Sequence, residues 1–153
     1  MKIVGVDPGP VPGIVALLVD RTHITEVHVA QCSPVLALDV VKLLLDDGPP
    51  ALVAVEKFVV RQRAARSRRP DAGEVTRELI GAIADVVLGT DDRMVQRPAA
   101  AVKPWATDER LDAAGLLTTT KGMRHARDAA RHALYAAVRD GGLPDPLSRK
   151  GHA

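Results

Sequence analysis

The sequence has no asparagine and only single copies of cysteine, phenylalanine, tyrosine and tryptophan among its 153 residues. With so few aromatics, a core must be built from Val, Leu, Ile and Ala, which suits an α/β sheet. A lone Cys32 excludes an internal disulfide and agrees with a reducing compartment; a plain buried or surface thiol is expected. No apolar run approaches the ~20 residues of a membrane span, and the opening is too short and wrongly flanked for a leader. A cytoplasmic protein with no membrane partner is therefore expected. The missing Asn, beside many Ala and Arg, points to a GC-rich genome and carries no mechanism. Charge of one sign is scarce as well: 21 bases against 19 acids leave a net +2. Binding to a polyanion must then rest on where the bases lie, not on their total.

The length fits one domain, expected over residues 1–140 with a flexible tail over 141–153. Three short aliphatic or β-branched runs at 2–7, 13–20 and 24–30 read as consecutive antiparallel strands. Leu36, Val40, Leu43 and Leu44 give helical spacing over 33–47, behind Ser33-Pro34 and ahead of Gly48-Pro49-Pro50. A buried strand at 51–55 ends in Glu56. There follow a basic stretch over 57–69, a helix over 72–88, a short strand at 94–96, a mostly helical stretch over 98–116 interrupted at Pro104, and a final helix over 122–139. This order implies a mixed central sheet, three antiparallel strands and then parallel ones, with helices on both faces.

Asp7 closes the first apolar strand and Glu56 closes a later one, so both carboxylates are expected where the sheet meets solvent. Each alone has a plain structural reading, Asp7 as a turn starter before Pro8-Gly9 and Glu56 as an ion pair with Lys57. On the last helix, Lys121, His125, Asp128, His132 and Tyr135 fall on one face, and Met123, Ala126, Ala130, Leu134 and Ala137 on the other. If the small apolar side packs, His125 and Asp128 stand one turn apart at the sheet edge. A solvated polar face is the ordinary alternative.

The run Ile3-Val4-Gly5-Val6-Asp7-Pro8-Gly9 with Gly13 resembles the opening of RuvC-type Holliday-junction resolvases, a branch of the RNase H-like superfamily. Ala54-Val55-Glu56 resembles the family's second acidic site. Residues 96–103, ending in Val102-Lys103, are similar to its Pro-x-x-Val-Lys segment with one extra residue. His125-Ala126-Arg127-Asp128-Ala129-Ala130 is similar to its closing helix, where relatives carry Asp or His at the position of His125. The resemblance runs in order along nearly the whole chain. It implies an RNase H-like fold and a bacterial or phage endonuclease that cuts Holliday junctions, and by extension forks and flaps, using two Mg²⁺ or Mn²⁺ ions. Asp7 would bridge the ions, Glu56 and Asp128 would each complete one shell, and His125 would act as ligand or as the group protonating near the scissile phosphate. His132 is given no role beyond support or exposure.

DNA attraction is expected from six bases without an acid between them, Lys57, Arg61, Arg63, Arg66, Arg68 and Arg69, and from Lys103 and Lys121. Phe58 is the candidate for the aromatic that relatives wedge into a junction, with a core role as the alternative. Two nicks related by two-fold symmetry call for a homodimer, and the helix over 72–88 offers two apolar sides. A non-catalytic binder of branched DNA with the same fold is the alternative function. An actin-like phosphotransfer domain is disfavoured because further Gly-rich phosphate loops are missing.

Overall fold

The computed structural model describes residues 1–46, 48–59 and 72–148. Strands β1 (Lys2–Asp7), β2 (Gly13–Val19), β3 (Ile24–Gln31), β4 (Ala51–Glu56) and β5 (Arg93–Arg97) form one sheet in the order β3-β2-β1-β4-β5. β1 pairs antiparallel with β2 and β2 with β3, whereas β4 lies parallel to β1 and β5 parallel to β4. This is the expected mixed sheet. The central strands β1 and β4 are apolar on both sides, as strands covered on both faces must be.

One face is covered by α1 (Pro34–Asp46) and α2 (Ala72–Leu88), the other by α6 (Arg124–Arg139) with the short helices α3 (Ala99–Val102), α4 (Asp108–Ala113) and α5 (Leu116–Thr119) around it. Val4, Val6, Ile14, Ala16, Val53 and Val55 point toward α1 and α2. Ile3, Val15, Leu17, Leu52 and Ala54 point toward α6. The period-2 alternation of a strand therefore decides which residues share the α6 face. No helix among the described residues is long and apolar enough to cross a membrane.

The apolar residues that give α1 its helical spacing are not the ones most deeply buried: Val40 and Leu44 pack only at the edge of the core. Ala37, Val41 and Leu45 face the sheet, while Leu36 is 55% and Leu43 71% exposed. The helix is apolar nearly all round, so spacing alone does not choose its inner face. Asp39, Lys42 and Asp46 choose it, because they must keep their charges in water. In α2 the buried line runs through Leu79, Ile83 and Val87, drawing on both sides proposed from sequence. The helical stretch expected over 98–116 is divided into α3 and α4. Thr107, whose side chain accepts from the Arg110 N–H, caps the second piece. Residues expected to form a loose tail are partly docked: Leu143 is buried, and Asp145 accepts hydrogen bonds from Arg110 Nε and Nη2 at 3.1–3.2 Å. Cys32 is a free, half-buried thiol, and burial pushes its pKa up, away from the reactive thiolate.

α6 packs directly onto two strand glycines. A Cβ on Gly5 would overlap the carbonyl oxygen of Ala129 and lie 2.8 Å from Cβ of Ala133. A Cβ on Gly13 would overlap the backbone of His125 and Ala126. Glycine in a strand interior marks just such an approach of two backbones, and Ala126, Ala129, Ala130 and Ala133 supply the small partners on the helix.

Gly5→Ala should lower stability in urea by at least about 1–3 kcal/mol, because the helix backbone must move to admit a methyl group. Gly81→Ala, where nothing lies within 4 Å, should instead stabilise by about 0.5–1 kcal/mol through helix propensity. Equal effects of the two substitutions would contradict the close approach.

Candidate active site

The parity of β1 places Ile3, Gly5 and Asp7 on the α6 face, and the parity of β4 places Leu52, Ala54 and Glu56 there too. Ile3 pairs with Leu52 and Gly5 with Ala54; one step past the last paired residues, Val6 and Val55, stand Asp7 and Glu56. Two acids thus end neighbouring parallel strands on the same side. α6, pressed onto Gly5 and Gly13, brings a histidine to each. His125 Nδ1 lies 2.7 Å from Asp7 Oδ2. His132 Nε2 lies 3.3 Å from Glu56 Oε2, with the His132 side chain only 1% exposed. The two histidines are seven residues apart, two helical turns, so one face of α6 serves both acids.

The start of α6 is held by Gln31, the last residue of β3. Its Oε1 accepts from the backbone N–H groups of His125 and Ala126 at 3.0 and 3.4 Å. This distant side chain fills the place of the local cap that Met123 does not provide.

Asp128 lies one turn beyond His125, as expected, but its oxygens are engaged. Lys103 Nζ donates to Oδ2 at 2.8 Å and Arg131 Nη1 to Oδ1 at 2.5 Å. Arg131 also donates to the carbonyl of Ala106 and pairs with Asp108. It thereby ties α6 to the segment that carries Lys103.

The three acids have different electrostatic surroundings. Burial raises the pKa of Asp7; the hydrogen bond from His125 opposes that rise, and the negative charges of Glu56 and Asp128 add to it. At Asp128 burial also acts upward, but Lys103 and Arg131 outweigh it and hold the carboxyl below its ordinary range. Asp7 therefore bears the like-charge crowding of the site, while Asp128 is neutralised locally.

Among the described residues, no three His, Cys, Asp or Glu side chains converge as a ready-made ion cage. The donors that suit Mg²⁺ or Mn²⁺ are the Asp7 and Glu56 carboxylates, hard oxygens whose mutual repulsion a divalent cation would relieve. Mg²⁺ characteristically takes one or two carboxylates and completes its shell with water and phosphate oxygens, so this pair fits it. Asp128 would have to exchange Lys103 for the ion.

Asp7, Glu56, His125 and Asp128 are thus gathered in one region, and Lys103 joins them through Asp128. Lys121 is exposed on the turn before α6 and has no place in the cluster. Lys57 is exposed, and its backbone N–H bonds to the Arg97 carbonyl at 2.8 Å. Phe58 packs toward the first turn of α2, with the Arg77 guanidinium 5.6 Å above its ring. Arg61, Arg63, Arg66, Arg68 and Arg69 lie outside the described residues. Of the two alternatives open for His132, support or exposure, the structure shows support, at Glu56; sequence reasoning missed Arg131 and Gln31. The three-residue spacing of Asp128 and Arg131 was a usable signal for Arg131; Gln31 offered none.

Sequence comparison matches the chain to no family model and to no curated protein. Structure comparison does find similar proteins. RuvC of T. thermophilus in complex with Holliday junction substrate superposes with a TM-score of 0.65 at 20% identity, covering 92% of this chain and 97% of that one. A second Thermus thermophilus RuvC structure gives 0.64 at 19%, with the same coverage. The chain has the RuvC-like fold of the RNase H type.

The upward shift of Asp7 fixes the sign of a stability effect. The folded state holds the Asp7 proton to higher pH than the unfolded chain does, where the ordinary value is 3.8. Its favourable contribution is complete below that value and is lost as pH rises through the folded one. At neutral pH the ionised Asp7 is thus a cost. Without divalent ions, Asp7→Asn should melt at a higher temperature than the native chain at pH 7. The gap should close on acidification; a lower melting temperature at pH 7 would contradict the assignment.

Proposed function

We propose that this chain, built on the RuvC fold, is a metal-dependent endonuclease that hydrolyses phosphodiester bonds in branched DNA, four-way junctions first among them. The observation that carries the reading is the pair Asp7 and Glu56 at the ends of adjacent parallel strands, each backed by a histidine of α6. The T. thermophilus RuvC that shares this fold was solved with a Holliday junction substrate, which is why the four-way junction is placed first among the branched substrates to be tried.

Bound at these carboxylates, Mg²⁺ or Mn²⁺ would supply a nucleophilic water and charge stabilisation at the phosphoryl oxygens. Asp7 and Glu56 are the residues that hold it. His125 fixes the Asp7 carboxylate through Nδ1, and its partly exposed ring keeps Nε2 for handling a proton beside the leaving oxygen. The buried His132 orients Glu56, in the way an outer partner orients a ligand. A one-ion site needs only Asp7 and Glu56. The two-ion form also needs Asp128, and Lys103 would then be freed to meet the phosphate. The Lys103 and Arg131 pairs on Asp128 also favour a second reading, in which the protein binds branched DNA without cutting it.

Two nicks related by two-fold symmetry favour a homodimer. Support for one lies in Val35, Leu36 and Leu43 of α1 and Leu88 of α2, large apolar side chains left exposed. Light scattering across concentrations should show a dimer at twice 16.3 kDa; a monomer at every concentration would count against it.

The decisive assay compares labelled four-way junction, flap and linear duplex DNA, with and without Mg²⁺ or Mn²⁺. Nicks should require metal and be confined to branched DNA. Asp7→Asn should abolish them and leave binding intact. Tight binding without cleavage would select the second reading, and retained cleavage by Asp7→Asn in Mg²⁺ would remove Asp7 from the mechanism.

A further inference from the structure

Beside the carboxylates, at the start of α6, lies an open cavity of about 400 Å³ lined by Gly122, Met123, Arg124, Arg127, Asp128 and Arg131. Its charges are unequally satisfied. Asp128 is shared by Lys103 and Arg131, and Arg131 also takes Asp108. That leaves Arg124 and Arg127 with no ion pair or side-chain hydrogen bond among the described residues. Arg127 Nε is buried, and among those residues it is the side-chain nitrogen or oxygen atom that is both buried and without a hydrogen-bond partner. Such an atom is uncommon and costly in a native structure unless a ligand or ion completes it.

The helix adds to the imbalance. α6 has no acid in its first turn and no side-chain cap from Met123. Arg124 and Arg127 sit instead at the positive end of the macrodipole, where cations are disfavoured. Gln31 satisfies only the His125 and Ala126 N–H groups. Two guanidiniums without a partner among the described residues and a helix N-terminus therefore share one open, water-accessible space. One anion in that space would meet both guanidiniums and the positive end of the helix.

We infer that this cavity is a binding site for a backbone phosphate of the DNA strand, held by Arg124 and Arg127. A guanidinium presents its donors as a planar fork that matches phosphate oxygens, and helix N-termini receive phosphates for the same electrostatic reason. Asp128 lines the cavity and also acts electrostatically on Asp7. A phosphate seated there is accordingly a near neighbour of the one presented to Asp7 and Glu56. The inference rests on the proposed DNA substrate and adds to it the residues that fix the register of the strand.

The test uses the full chain and a fluorescent four-way junction without divalent ions, so that binding is read apart from cleavage. Affinity is measured across a range of KCl concentrations for the native chain, Arg124→Gln, Arg127→Gln and the double variant. Lys42→Gln, on exposed α1, serves as a control. Loss of one phosphate contact should flatten the slope of log K against log salt by about 0.9, and the double variant should lose about twice that, with Lys42→Gln unchanged. Arg124 is exposed, so its variant decides the matter should Arg127→Gln prove unfolded by circular dichroism. Native binding with an unchanged slope in Arg124→Gln would overturn the phosphate site and leave the proposed function standing. No binding of junction or duplex by the native chain would overturn both.

Discussion

The contact between the α6 backbone and Gly5 and Gly13 governs the rest of this structure. Helices normally rest on sheets through layers of side chains; here the Ala129 carbonyl and the backbone at His125 lie directly over strand glycines. The approach fixes the height of the helix above the sheet, and with it the reach of every side chain on its polar edge. At that height a histidine imidazole meets Asp7 at hydrogen-bond distance, and two turns later another meets Glu56. The run of alanines from Ala126 to Ala137 is the helix's half of the same constraint. It gives up hydrophobic area for proximity, and Ile83, Val41 and their neighbours on the opposite face recover that area with larger side chains.

Given that height, the electrostatics divide the acids by role. Asp7 is buried and crowded by negative charge, so its ionised form is held at a cost that a cation would reverse. Asp128 is already neutralised by Lys103 and Arg131. Groups driven in opposite directions by their surroundings are what a site needs to place different protonation states side by side. The division also links loop and helix: Arg131 reaches the Ala106 carbonyl and Asp108, so the segment between β5 and α4 and the carboxylate on α6 are positioned together. Around the same segment, Trp105 meets Tyr135 edge-on at 5.3 Å, and Arg110 lies 4.7 Å over the Trp105 ring. The chain's single Trp and single Tyr are both spent on that docking.

Much of this was legible from the sequence. Asp7 and Glu56 stand out because each ends an apolar run, and parity places them on one face once the strands are known to be neighbours. His125 and Asp128 stand out by their spacing. His132 shares that spacing, but whether it supports the site or is merely exposed was left open, because its partner lies 76 residues away and nothing local distinguishes a buried histidine from an exposed one. The inner face of α1 was not legible because apolar residues surround nearly the whole helix, leaving three charges as the only guide. Gly5 was read as part of a motif, when a glycine inside an otherwise β-branched strand is itself a sign that another backbone comes close. Arg124 and Arg127 resemble any solvated charges until the partners of their neighbours are known.

The separation along the chain between Asp7 and His125, 118 residues, gives the site a place in time as well as in space. During directional synthesis β1 and β4 are made long before α6, so both acids exist in the chain before the histidines and arginines that stand beside them. Closing so distant a contact is slow by its topology. The constellation is therefore complete only once the last helix of the sheet's α6 face has docked.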